Sequence, residues 1–153
     1  MRILSLARAG LGLFLAGSLT CAGLSAAAAP APIVVVPGAE HYAAAPSPFP
    51  SGVMIAVLSG DPKMAGAPYT IRIKLPDGAR IPVHTHGETE NVTVITGTFL
   101  VAIGKTFDAS KLKALPAGAY VSIPPSLAHY AMAKGLTVVD VSGLGPESTN
   151  FLK

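Results

Sequence analysis

The stretch that decides the reading is Val83–Gly97, "VHTHGETENVTVITG". Alternate residues of an extended strand share a face, so His84 and His86 point the same way, about 7 Å apart along the chain. Gly87 allows a sharp turn or bulge after them. In the run that follows, Glu90, Val92 and Val94 share a face in turn. Two imidazoles and a carboxylate converging on one point suit Fe, Mn, Ni or Zn rather than soft thiolate chemistry. His129 offers another imidazole, and only a folded-back β architecture brings it close. The competing reading is a solvated hairpin tip, with Glu88 as a second carboxylate in the same turn.

Outward from this stretch the texture stays that of a β-protein. "VMIAVLSG" (53–60), the alternating "YTIRIKL" (69–75) and "ARIPVHTH" (79–86) read as strands bounded by Gly and Pro turns. "NVTVI-TG-TFLVAIG" reads as a tight hairpin through Thr96-Gly97. A short irregular or helical piece is expected near Asp108 to Leu115. After it come "AYVSIP", "AHYAMA" and "LTVVDVSG", which makes eight or nine short strands in all. With no long helical period, the chain is expected to be all-β, a barrel or sandwich. The tail "GLGPESTNFLK" is expected to fold back along the outside of the barrel.

The N-terminal part differs. Two arginines, an apolar run of about 16 residues and then small residues fit a secretory signal peptide over residues 1–28, cut after Ala27 or Ala28. The run is shorter than the roughly 20 residues a membrane span needs and is broken by glycines, so no stable membrane anchor is expected after cleavage. The mature protein is expected in the periplasm or secreted. Cleavage removes Arg2 and Arg8, leaving nine of the eleven Lys and Arg against eight Asp and Glu. The net charge of +3 therefore says nothing for nucleic acid, and none is expected as a partner. The single cysteine, Cys21, leaves too, which excludes disulfides, thiolate ligands and cysteine nucleophiles. Residues 29–52, rich in Pro and Ala, read as a linker or a surface arm in which Ile33 to Val36 could pair as an edge strand. Residues 53–153 form the expected barrel domain.

The run Gly78, five residues, His84-x-His86, three residues, Glu90, six residues, Gly97 resembles the first conserved motif of the cupin superfamily at every signature position. The run Gly118, five residues, Pro124-x-Ser126-x-x-His129 is similar to the second motif. It departs from it with Ser126 where Gly is usual and Ala133 where Asn is common. The resemblance covers about Val53 to Ser142 and is that of a small single-domain bacterial cupin. It implies a double-stranded β-helix (jelly-roll) barrel holding one divalent metal ion (Fe, Mn, Ni or Zn) on His84, His86, Glu90 and His129. It prefers Glu90 to Glu88 and leaves Glu88 facing solvent or behind the ligands. Ser126 puts the shape of the turn before His129 in question, because glycine commonly serves positive φ. Ala133 removes a polar pocket group.

For the substrate pocket, Tyr69, Arg72 and Phe99 are the candidates. An inward Arg72 would clamp a carboxylate, an outward one would be solvated. Phe99, Val101 and Ile103 are expected to line the apolar barrel, while Tyr130 and Met132 face away from the metal. Three imidazoles and one carboxylate leave a divalent ion with open positions, able to bind oxygen beside a substrate or to act as a Lewis acid. The expectation is an exported metal-dependent enzyme, a dioxygenase or a lyase/isomerase, acting on a small oxygenated molecule. The alternative is a non-catalytic metal- or small-ligand-binding barrel. No acid or base beyond the ligands is assignable from the sequence. The resemblance also implies pairing into a homodimer, with the "IVVV" arm as an exchange strand.

Overall fold

The computed structural model describes residues 31–153. The expected signal peptide lies outside the described residues. Among the described residues nine strands form one curled antiparallel sheet: β1 Ala43–Ala44, β2 Met54–Gly60, β3 Pro68–Leu75, β4 Arg80–His86, β5 Glu90–Ile103, β6 Lys113–Pro116, β7 Tyr120–Ile123, β8 His129–Leu144 and β9 Thr149–Phe151. A single turn of 3-10 helix, Ala109–Lys111, is capped by Asp108, whose carboxylate accepts from the Ser110 amide.

β5 and β8 organise the molecule. They pair along their whole lengths, from Asn91 opposite Ser142 to Ile103 opposite His129. On the outer edge of β8, Thr137–Leu144 takes β3 and His129–Met132 takes β4. On the outer edge of β5, residues 90–93 take β7 and residues 98–101 take β6. Two facing sheets result, β1-β2-β3-β8-β5-β7 and β9-β4-β8-β5-β6, with the two long strands bending from one into the other. That is a jelly-roll barrel.

The hairpin expected at Thr96-Gly97 does not form. The register instead shifts between Val94 and Thr98, a bulge at which β5 turns the corner. Gly97 has φ +75°, and a Cβ there would run into the Leu136 carbonyl and lie 2.8 Å from Thr137 Cα. The signal read as a chain reversal is a bend within one strand. "AHYAMA" and "LTVVDVSG" are likewise one strand, bent near Gly135.

The bulge also switches which residues face inward. Val92 and Val94 point in before it, Phe99 and Val101 after it. They meet Tyr69, Ile71, Ile73 and Leu75 of β3 and Val139 and Val141 of β8 in one apolar interior. Ile103, expected to line it, is half exposed at the strand end. Tyr130 faces the other way but is fully buried, packed with Val83, Ala102 and Phe107 beneath the 104–112 loop, and its hydroxyl donates to the Asp108 carbonyl.

The arm is more integrated than a linker. The compact unit runs from Ile33 to Lys153. Ala43–Ala44 pairs with Met54–Ile55, while Ile33–Val36 forms no strand and is exposed. Arg72 holds the arm: its guanidinium donates in two bonds to Asp140, at 2.7 and 2.9 Å, and in a third to Glu40 at 2.9 Å. Beyond this latch Phe49 packs edge-on against Phe151 of β9, ring centres 5.3 Å apart. The tail therefore adds a strand to β4, Thr149 opposite His86 and Phe151 opposite His84, rather than lying along the outside.

Candidate metal centre

β4 delivers two imidazoles inward through a local irregularity. Ile81 pairs with Ala131 and His84 with His129, so β4 holds one more residue than its partner between these pairs. Pro82 occupies the extra position, where a residue without an N–H leaves no ladder donor unmet. This shift lets Ile81 and His84 both face the interior while Val83 turns outward to Tyr130. Two residues on, His86 rejoins His84. Glu90 opens β5 and His129 opens β8, beside its partner His84.

The four side chains meet. One ligand atom from each of His84, His86, Glu90 and His129 lies within 4.8 Å of the others. The His84 ring is 4.9 Å from that of His86 and 4.1 Å from that of His129. Each imidazole is oriented by a backbone carbonyl. His84 Nδ1 is 2.7 Å from Pro82 O, His86 Nδ1 3.0 Å from Ser148 O, and His129 Nδ1 2.9 Å from Leu127 O. A carbonyl only accepts, so each Nδ1 carries the proton and each Nε2 lone pair is turned toward the shared point. Glu90 reaches into the same point, Oε2 3.2 Å from His129 Nε2 and Oε1 3.4 Å from His86 Nε2.

The electrostatics agree with an ion-ready cluster. Burial, reinforced by His129, pushes His84 down to about 4, so its ring is neutral. Burial acts to raise the Glu90 carboxyl, but the closeness of His129, and then of His86 and His84, outweighs it and leaves it below its ordinary value. His86 Nε2 is buried with no hydrogen-bond partner. A buried nitrogen without a partner is costly, and a cation among three Nε2 atoms and a carboxylate satisfies it. The donor set fits a divalent metal ion.

Ser126 adopts φ +63°, the left-handed turn that glycine usually serves, and its amide donates to the His86 carbonyl at 2.9 Å. The turn before His129 is thus kept despite the substitution. Ala133 is buried in the apolar interior opposite Phe99. Glu88 is exposed and is not among the cluster.

A cavity of about 370 Å³ opens over the cluster, walled by Phe49, Ile55, Ile71, Val141 and Phe151 and bordered by His84, His86 and Glu90. None of the three expected pocket residues lines it. Arg72 is on the outer face of β3, committed to Asp140 and Glu40. Tyr69 is in the barrel interior beside a separate groove, where burial pushes its phenol up to about 12. Phe99 borders only a void of about 20 Å³ beneath the ligands. The walls come instead from the arm and the tail, and among them is a carboxylate not foreseen, Glu147. Its Oε1 accepts from Thr149 Oγ1 at 2.6 Å and lies 3.7 Å from His86 Nδ1. The alternation Glu147, Thr149, Phe151 was the available sign of an edge strand with one face toward a site.

No protein-family profile and no curated protein matches the chain. Solved structures do. The polyketide cyclase RemF from Streptomyces resistomycificus aligns at TM-score 0.66 and 13% identity over 78% of this chain and 84% of that one. An acetylacetone dioxygenase from Acinetobacter johnsonii aligns at 0.62 and 16% identity, over 82% and 80%. An RmlC-like cupin from Shewanella frigidimarina aligns at 0.56 and 18% identity, over 74% and 91%. At these identities the likeness is one of fold.

Proposed function

The chain is a cupin by its fold, and we propose that it is an exported, metal-dependent enzyme of the dioxygenase or lyase/isomerase class acting on a small oxygenated molecule. The observation that carries the metal reading is the unpartnered, buried Nε2 of His86, set among two further imidazoles and Glu90. The likeness to an acetylacetone dioxygenase and a polyketide cyclase supports chemistry on oxygenated carbon compounds.

When bound, a divalent ion held by His84, His86, Glu90 and His129 would supply a Lewis-acid centre. The chain's own residues do the rest. The carbonyls of Pro82, Leu127 and Ser148 keep the three Nδ1 atoms protonated and the Nε2 atoms directed at one point. Glu90 reduces the charge of the centre. Phe49 and Phe151 wall the cavity and offer an apolar surface to a ligand.

Export is supported by the residue pattern of 1–28. The exposed Ile33–Val36 arm, with Val34 78% exposed, supports pairing with a second copy, which light scattering of the mature chain would register. Oxygen uptake and product analysis with phenolic, diketone and keto-acid compounds test the enzyme reading. Turnover with any class supports it. Saturable ligand binding without turnover across the panel favours the non-catalytic barrel instead. An exported product beginning at Ala28 or Ala29 would agree with export, and an uncleaved cytoplasmic chain would contradict it.

A further inference from the structure

The cavity over the cluster has an unusual charge inventory. Seventeen residues line it, and its ionisable groups are His84, His86, Glu90 and Glu147. No lysine or arginine is among them. Arg72, on the neighbouring strand, is held on the opposite face by three hydrogen bonds to Asp140 and Glu40.

Glu147 is fixed in place. Its amide donates to Pro62 O at 2.6 Å, which ties the β8–β9 connection to the β2–β3 connection. Thr149 occupies one carboxylate oxygen. The adjacent carbonyl, Ser148 O, orients His86, so the segment that aims Glu147 also aims a ligand imidazole. Among the described residues no hydrogen bond reaches Glu147 Oε2, and the side chain is 30% exposed at the cavity rim.

Resting on the metal reading above, we infer that Glu147 sets the substrate class: it admits uncharged apolar compounds bearing hydroxyl groups and disfavours carboxylates of the same skeleton. A divalent ion with Glu90 leaves one formal positive charge, and Glu147 offsets it, so the mouth holds no net attraction for an anion. A carboxylate seated on the ion shares the cavity with the Glu147 carboxylate, and like charges repel. A hydroxyl that reaches the rim donates to Glu147 Oε2, and the apolar remainder packs against Phe49 and Phe151. The discrimination combines repulsion of the wrong ligand with a hydrogen bond to the right one.

A matched pair tests this: 1-phenyl-1,2-ethanediol and mandelate share a carbon skeleton and differ in charge. Calorimetric titration of the zinc-loaded protein gives their affinity ratio, with zinc content measured alongside. In Glu147→Gln the ratio is expected to move about tenfold toward mandelate, and Glu147→Asp, which keeps the charge, is expected to stay within threefold of wild type. A shift below threefold in Glu147→Gln overturns the assignment, as does an equal shift in Glu147→Asp. Loss of zinc from Glu147→Gln alone also overturns it, since the carboxylate would then belong to the cage of the ion. Absence of zinc from the wild-type protein instead overturns the metal reading, which separates the two failures.

Discussion

Glu90 and His129, the first residues of the two long antiparallel strands and so at opposite ends of that pairing, bring Oε2 within 3.2 Å of Nε2. His129 is nearly inaccessible to solvent and its other nitrogen is committed to Leu127 O, so this contact is the edge of a prearranged cage. Replacing Glu90 by Gln keeps the shape and removes the charge. Metal affinity is expected to fall by more than the roughly 10–100-fold that altering a supporting contact costs. Competition against a chelator measures it, and an unchanged affinity would remove Glu90 from the ligand set.

The metal-free protein is expected to lose stability on acidification because of His84. Its folded pKa is lowered to about 4 from 6.5, so the unfolded chain takes up the proton first. Stability is therefore full above about pH 6.5 and declines as pH falls toward 4, by about 3 kcal/mol from this group. Denaturation of chelator-treated protein should show that slope, and His84→Gln should flatten it. Equal slopes in both proteins would contradict the neutral, buried state of His84.

Ser126 carries a left-handed φ without glycine's freedom. Ser126→Gly is expected to stabilise the fold by about 0.5–1 kcal/mol, the relief of backbone strain less the added entropy of the unfolded chain. Gly97→Ala should do the opposite, by about 3 kcal/mol or more, because the new methyl meets the backbone of Leu136 and Thr137 at the corner of β5. Chemical denaturation of both variants reads the two signs. A neutral Gly97→Ala would mean that the bend does not depend on that close approach.

The arm should be released by Glu40→Gln. The Glu40 carboxyl is held below its ordinary value by its backbone hydrogen bond and then by Arg72. Such a group stabilises above its unfolded pKa, and the effect is lost as pH falls through the folded value. The variant is expected to show faster proteolysis within residues 31–52 at neutral pH, and wild type to converge on it below the ordinary carboxylate range. Equal cleavage rates at neutral pH would show that the latch does not hold the arm.

Legibility in the sequence followed the range of the interactions. β3 was readable because its alternation reports a buried and an exposed face locally, and β2, β4 and β7 because Gly and Pro turns bound short apolar runs. β5 and β8 were read as shorter pieces because Gly97 and Gly135 signal positive φ, and a bulge inside a strand needs that as much as a turn does. The cluster of four was readable because His84, His86 and Glu90 keep the spacing that a strand, a turn and a strand impose. Its walls were not. Phe49, Glu147 and Phe151 reach the cavity from an arm and a tail whose placement depends on the Arg72 latch and on pairing with β4, and neither leaves a local pattern. Arg72 itself was ambiguous for the same reason, since its direction is decided by Asp140, 68 residues away in the chain.

Elemental analysis of the protein purified from its native compartment tests most directly whether this barrel holds one divalent ion. Close to one Fe, Mn, Ni or Zn per chain is expected, with its loss in a folded His86→Ala variant. A folded wild-type protein that carries no metal, and takes up none on reconstitution, would contradict the metal reading.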